Sequence, residues 1–172
     1  MTTAQRNDPV LGFNFAVSLV ESAGPSAFLS LTVGSPPQNG FSEVSGLDLT
    51  IQAEEYREGG NNGTVLKFPG RAQWSNLKLR HGVVSGTDLW DWHMQFLNGQ
   101  GKRRDGVVTL LDEVGSPVRS WRFLRGLPVR WAGPALHARE AQVAIEEIEI
   151  AHEGITQTGG DGSLFGALAS LF

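Results

Sequence analysis

The sequence predicts a mainly β fold with one α-helix, of the α+β class. Twenty-two glycines and eight prolines among 172 residues indicate many turns, which favours short strands over a helical bundle. In several segments apolar and polar residues alternate with the period of two that a half-buried strand shows. One segment instead repeats its apolar residues at helical spacing. The predicted architecture is a meander of short strands with one helix.

The strands are predicted in order along the chain. Near the N-terminus, Phe13, Phe15, Val17 and Leu19 share one face of the first strand. The acid, glycine and proline of segment 112–117 predict a turn that joins two later strands. The further candidate strands are segments 47–52, 65–68, 77–80, 107–111, 118–124 and 127–131.

The last strand changes phase. Val143 and Ile145 occupy one parity, whereas Ile148 and Ile150 occupy the other. A one-residue β-bulge at the pair 146–147 would restore a single apolar face. The alternative is a strand buried on both faces, which the neighbouring acids oppose.

A helix is predicted between Thr87 and Asn98. Acids lie in its first turn, and Gly99 suits the position after its end. Two interpretations of its two tryptophans stay open: both fill the core of the subunit, or part of the apolar surface packs on a neighbouring subunit. The residues of this surface are Leu89, Trp90, Trp92 and Phe96.

The composition changes after Gly154. The domain is predicted to span residues 1–155, followed by a Gly-rich linker and a short apolar tail in 156–172. Leu164, Leu168 and Leu171 would share one face of a helix, as in a docking peptide. A poorly ordered terminus is the other interpretation.

Composition and motifs predict no catalytic residue, no metal site and no cofactor, and hence no enzyme. The net charge is −4, which lacks the basic excess of a dedicated nucleic-acid binder, and the chain has no cysteine. Segment 99–104 lacks the spacing of a phosphate-binding loop. No signal peptide or membrane-spanning run is visible. The histidines are scattered and form no metal-binding pair: His81, His93, His137 and His152.

The most unusual stretch is a charged segment that runs into glycine and asparagine. Such residues adopt positive φ, so the stretch predicts a hairpin tip that projects from the sheet. Both charge signs and a tyrosine make it a candidate self-assembly contact, and an ordinary solvated hairpin is the other interpretation. The residues of this loop are Glu54, Glu55, Tyr56, Arg57, Glu58, Gly59, Gly60, Asn61 and Asn62.

Short motifs in a fixed order carry a resemblance to a known family. They are the loop 54–62, Lys67, Pro69-Gly70, the segments 76–82, 89–92, 121–123 and 131–134, and Ala151-His152-Glu153-Gly154. In this order they resemble the inner tube proteins of contractile tails, most closely those of phage-tail-like extracellular contractile injection systems. The resemblance covers residues 6–155. His81 departs from it, since Lys or Arg is usual before that glycine.

The resemblance implies an antiparallel β-barrel or sandwich subunit whose strands join a continuous barrel in a hexameric ring. Rings would stack into a hollow tube that a contracting sheath drives through a target envelope to deliver cargo. The implied partners are further copies of the chain, sheath protein, baseplate and spike, tube-terminating proteins and cargo. The particle would assemble in the bacterial cytoplasm as a released or membrane-anchored injection particle, or as a virion tail. We predict that this chain is the repeating shaft subunit. No specific nucleic-acid binding or stable membrane insertion is expected.

Within that assembly, the loop 54–62 is expected to reach the adjacent ring. Three carboxylates are candidates for an acidic lumen surface: Glu146, Glu147 and Glu149. A phage tail tube that passes a genome shares fold and mechanics and is the nearest alternative. In another class, a monomeric β-barrel that binds a small apolar ligand would explain alternating strands but not the projecting loop.

Overall fold

The computed structural model describes residues 9–22, 40–60 and 63–159. Within these ranges the chain is mainly β with one helix, α1 (Asp88–Leu97). The strands are β1 (Phe15–Glu21), β2 (Phe41–Ser45), β3 (Leu49–Tyr56), β4 (Leu66–Trp74), β5 (Leu77–Gly82), β6 (Arg104–Leu111), β7 (Pro117–Ala132), β8 (Ile145–Ala151) and β9 (Ile155–Gly159).

All described strand pairs are antiparallel, and they form two sheets. The main sheet has the order β1-β6-β7-β8-β5-β2, with β9 also paired to β7, and β3 and β4 form a separate hairpin. Strand β7 replaces the two strands predicted at 118–124 and 127–131. Its first part pairs with β6 and β9 and its last part with β8, so one strand joins both halves of the sheet.

Strand β7 can join the two halves because it bends. At Arg125 the backbone has φ 53°, and the register with β6 shifts by one residue at this point. The Asp105 carboxylate accepts hydrogen bonds from the Arg125 amide (2.7 Å) and the Ser22 hydroxyl (2.5 Å). The Arg125 amide, which the bulge removes from the strand ladder, therefore still has a hydrogen-bond acceptor. The bulge changes the direction of the strand.

The predicted bulge in the last strand is wrong. Strand β8 pairs with β5 without a register shift, and the irregularity lies in β7, between Pro128 and Arg130. Glu146 therefore shares the inward face with Ile148 and Ile150, and Ile145 takes the outward face. A proline in a strand interior is tolerated at such a bulge.

One apolar core lies between the inward face of the sheet and α1. Trp92 is the largest buried side chain, and its indole N–H donates to the Lys102 carbonyl at 2.8 Å. The other core residues are Val17, Leu19, Phe41, Leu77, Leu79, Leu89, Val108, Phe123, Ile148 and Ile150. On each strand of the main sheet, the alternate residues that contact this core define the inward face.

Gly106 leaves room for the ring of Phe123. A Cβ at position 106 would overlap that ring and would lie 2.8 Å from Leu19. We expect Gly106→Ala to lower the free energy of unfolding by about 1–3 kcal/mol, because a well-packed core resists an added methyl group. Urea denaturation measures this, with Gly86→Ala as the control, since position 86 has open space. An equal loss in both variants would contradict the assigned clash.

The predicted domain boundary at 155 lies too early. Residues 156–159, assigned to the linker, belong to β9, which pairs with β7 from Phe123 to Arg119. The apolar tail lies outside the described residues.

Candidate assembly surfaces

The hairpin of β3 and β4 stands apart from the main sheet, and all eight residues of β3 are exposed. One residue of β3, Gln52, opposes two of β4, Gly70 and Arg71, which makes a bulge in the ribbon. A Cβ at position 70 would lie 2.9 Å from the Gln52 carbonyl oxygen, so glycine is needed there. Pro69 pairs with Ala53 directly beside this bulge, a place where a strand tolerates proline.

The hairpin exposes apolar side chains on both faces. Near the base, Leu49 and Ile51 share one face, in register with Trp74 and Ala72. Near the tip, the opposite face carries Tyr56, Leu66 and Phe68, and the rings of Tyr56 and Phe68 meet edge to face at 6.4 Å. Five of these side chains are 43–57% exposed, which is unusual for residues of this type on a two-stranded ribbon.

The charged residues of the predicted loop lie at the hairpin tip. Glu54 and Glu55 belong to β3, where Glu55 pairs across the ribbon with Lys67. Arg57, Glu58, Gly59 and Gly60 come next and are exposed, with Gly60 at φ 94°. Asn61 and Asn62 lie outside the described residues. The structure thus brings together the described part of the predicted loop at one projecting end.

The base of the hairpin is tied to the body of the subunit by His152. Its Nε2 lies 3.0 Å from the Ser75 carbonyl oxygen, and its Nδ1 accepts from the Gly154 amide at 3.2 Å. These two contacts fit a neutral ring that carries its proton on Nε2. The ring also packs against Trp74 and Phe123 at about 6 Å. His152 lies in the last of the motifs that carry the family resemblance, and nothing in its sequence context predicted this contact.

Folding should become less favourable in acid because of His152. Burial lowers the pKa of His152 below its ordinary value of 6.5, although the hydrogen bond that the ring donates to the Ser75 carbonyl acts in the opposite direction. The unfolded state therefore takes up a proton near pH 6.5, and the folded state only at lower pH. Between these values the unfolded state binds more protons, so the free energy of unfolding falls as the pH falls.

Chemical denaturation at several pH values measures this effect. The stability of His152→Gln should depend less on pH below 6.5 than that of the parent chain. His137→Gln is the control, because His137 is exposed in a loop. A pH dependence unchanged by His152→Gln would refute the assignment.

A strip of alternating charges covers the outward face of β8 and its neighbours. Glu147 lies 3.3 Å from Arg80 on β5 and 3.3 Å from Arg130 on β7, and Glu149 accepts from Asn76 at 2.8 Å. Glu147 and Glu149 remain candidates for a lumen surface, but Glu147 is paired with arginines and Glu149 is hydrogen-bonded to an asparagine. The strip is therefore mixed in sign.

Glu146 does not belong to this strip. Its carboxylate lies 2.8 Å from Nε2 of His81, and the two side chains are only 12% and 5% exposed. The other ring nitrogen of His81 lies 2.6 Å from the Gly82 carbonyl oxygen, and Phe41 covers the ring edge to face. The prediction that Glu146 lines the lumen is therefore wrong. Strand β8 has no bulge that would turn this residue outward.

Helix α1 begins and ends as predicted, but its apolar surface is mostly internal. Leu89 and Trp92 are buried in the core of their own chain, so the interpretation as a subunit contact is wrong for these two residues. Phe96 packs partly against that core. Trp90 is 40% exposed, and its ring centroid lies 4.6 Å from that of Trp131. Of the four residues of the predicted surface, Trp90 is therefore the one that a neighbouring subunit can reach.

Among residues 9–22, 40–60 and 63–159, no group of three or more metal-ligating side chains comes together. In the same residues, no helix has both the length and the apolar character that crossing a membrane requires. The described surfaces offer apolar and charged contacts.

Two of the similar solved structures are of the anti-feeding prophage and of an extracellular contractile injection system. A chain of the six-fold symmetrised baseplate of the anti-feeding prophage is 26% identical, with a TM-score of 0.76 over 90% of this chain and 98% of that one. A chain of the sheath–tube complex of the PVC extracellular contractile injection system, in the extended state, is 25% identical, with a TM-score of 0.71 over 88% and 92%.

A more distant neighbour shows the fold alone. Hcp1 from Flavobacterium johnsoniae is 14% identical, with a TM-score of 0.50 over 84% of this chain and 96% of that one. A search of curated proteins found no match. The model of the T4-like virus tail tube protein gp19 family matches residues 11–156. This chain is therefore a member of the T4-like virus gp19 tail tube family.

Proposed function

We propose that this protein is the repeating structural subunit of the inner tube of a contractile injection system. Six copies form a ring, and rings stack into a hollow tube that sheath contraction drives through a target envelope to deliver cargo. Membership of the tail tube family over residues 11–156 is the observation that carries this proposal. The likeness to chains of the anti-feeding prophage and PVC structures supports it.

The hairpin supports assembly on physical grounds. Its base and tip expose apolar side chains on opposite faces, so a single partner surface cannot cover both. In the proposed tube, Leu49 and Ile51 pack on a neighbour in the same ring, whereas Tyr56, Leu66 and Phe68 meet the adjacent ring. A closed, stacked ring buries both faces in repeats of the same contact.

The polar strip suits the wall of a lumen. A barrel built from the strands of several subunits is too wide for side chains to fill, so one of its faces meets water. The outward residues of β5, β7 and β8, among them Arg80, Arg130, Glu147 and Glu149, make such a face. Because its charges are mixed, cargo slides past it without strong attachment.

The partners are inferred from the assemblies that contain the similar chains. Those structures are a baseplate, a sheath–tube complex, a tube-terminating cap and a sheath/tube terminator. We assign this chain the corresponding contacts with sheath, baseplate and spike, and terminating proteins, in a particle that assembles in the bacterial cytoplasm. Its role is mechanical rather than catalytic.

Negative-stain electron microscopy and light-scattering mass of the purified protein test the proposal. Rings or stacked hollow tubes of six-fold symmetry are expected. A homogeneous monomer at every concentration, with no tube after baseplate components are added, would refute the proposal and favour the monomeric ligand-binding barrel.

Family membership also fits a phage tail tube that passes a genome. The two functions differ in what fills the tube. Nuclease treatment and mass spectrometry of purified particles distinguish protein cargo, which we expect, from nucleic acid.

A further inference from the structure

An apolar groove lies at the end of the main sheet where β6 turns into β7. It measures about 330 Å³, and its lining includes Leu11, Phe13, Leu111, Asp112 and Val114. Phe13 is 70% exposed and Val114 is 84% exposed. The Asp112 carboxylate accepts from the Val114 and Ser116 amides, so it holds the turn and leaves the apolar side chains to face the groove.

The chain leaves the described structure beside this groove. Phe15 pairs with Leu110, Leu110 with Arg119, and Arg119 with Gly159, so these four residues lie in one row across four strands. Neighbouring strands are about 4.8 Å apart, which puts Gly159 about 10 Å from Leu110. Strand β9 runs towards the turn, because it is antiparallel to β7.

The segment after Gly159 has the chemistry to fill such a groove. Segment 160–163 is Gly-Asp-Gly-Ser, and four extended residues span at most about 14 Å. The next nine residues carry no charged side chain and contain five large apolar ones: Leu164, Phe165, Leu168, Leu171 and Phe172. The linker is therefore long enough to bring Leu164 to the groove of its own chain.

We infer that segment 164–172 binds in this groove of the same subunit. The tail covers Leu11, Phe13 and Val114, and the Gly-rich linker makes the reversal from β9. Tethering by four residues keeps the local concentration of the tail high, so a modest apolar contact suffices.

The absence of cysteine from the natural sequence permits a direct test. In the full chain, Val114→Cys with Leu168→Cys should form a disulfide within one chain under mild oxidation. The control is Val143→Cys with Leu168→Cys. Val143 is 76% exposed and precedes β8 beyond the far end of β7, so it matches Val114 in type and exposure but not in place. We expect the first pair to react at least about tenfold faster.

A third variant tests whether the apolar lining matters. Leu11→Asp, added to the Val114 and Leu168 cysteine pair, should slow disulfide formation, because a charge in the groove disfavours an apolar tail. Equal rates for the two cysteine pairs, no effect of Leu11→Asp, or disulfides only between chains on a non-reducing gel would each overturn the inference. Electron microscopy of the same preparations tests the tube separately.

Discussion

A chain that carries Tyr56→Ala and Arg57→Ala is expected to form rings that do not stack. Tyr56 belongs to the exposed apolar cluster at the hairpin tip, and Arg57 is the first residue after β3. Buried tyrosine and arginine anchors each contribute about 2 kcal/mol or more to an interface. In a stacked tube the same contact recurs on every subunit of the ring, so the loss is multiplied and stacking is abolished.

Negative-stain microscopy of tubes and rings measures this effect. Leu136→Ala with Arg139→Ala is a matched control, because it removes an exposed apolar side chain and an arginine from another loop. We expect tubes of normal length from the control. Normal tube length in the Tyr56 and Arg57 variant would remove the hairpin tip from the ring-to-ring contact.

The loss of the Glu146 carboxylate should destabilise the subunit strongly. The Glu146 carboxylate lies 2.8 Å from Nε2 of His81, and both side chains are nearly buried. Glu146→Ala removes this partner and leaves a buried ring nitrogen without its hydrogen bond, which costs about 1–3 kcal/mol. A loss of this size corresponds to a fall in Tm of roughly 5 °C.

Urea denaturation of unassembled protein tests the pair. Glu149→Ala is the control, because Glu149 is on the outward face of the same strand and should cost less than about 1 kcal/mol. The double variant His81→Leu with Glu146→Leu should recover most of the lost stability, since apolar replacement of a whole buried pair is often nearly neutral. A single variant as stable as the parent would show that the pair contributes nothing.

Local patterns predicted the elements well where the signal lay within one segment. The helix between Thr87 and Asn98, the turn at 112–117 and the projecting hairpin are confirmed, because each depends on neighbouring residues. Strand β2 was missed, since Phe41 is its single fully buried residue. Strand β9 was missed because its Thr, Gln and Gly residues are typical of a linker. These residues form a strand because they pair with β7, which their own sequence does not indicate.

The site was harder to predict where a residue's role depends on a distant partner. An acid at 146 predicts an exposed position unless it is known that His81, on another strand, lies opposite. Likewise, the helical stripe could not tell Trp92, which fills the core, from Trp90, which stays exposed. In each case the sequence pattern identified the element, and tertiary packing decided the face.

Strand β7 has a consequence for how the subunit opens. Both halves of the main sheet are hydrogen-bonded to it, β6 and β9 along its first part and β8 along its last. Unfolding of either half removes hydrogen bonds from β7, the strand to which the other half is also paired. The two halves should therefore unfold as one cooperative unit. Amides in the middle of β7 should exchange with solvent most slowly, and those of the separate hairpin most quickly. The β3–β4 hairpin can then adjust to a neighbouring subunit while the main sheet keeps its shape.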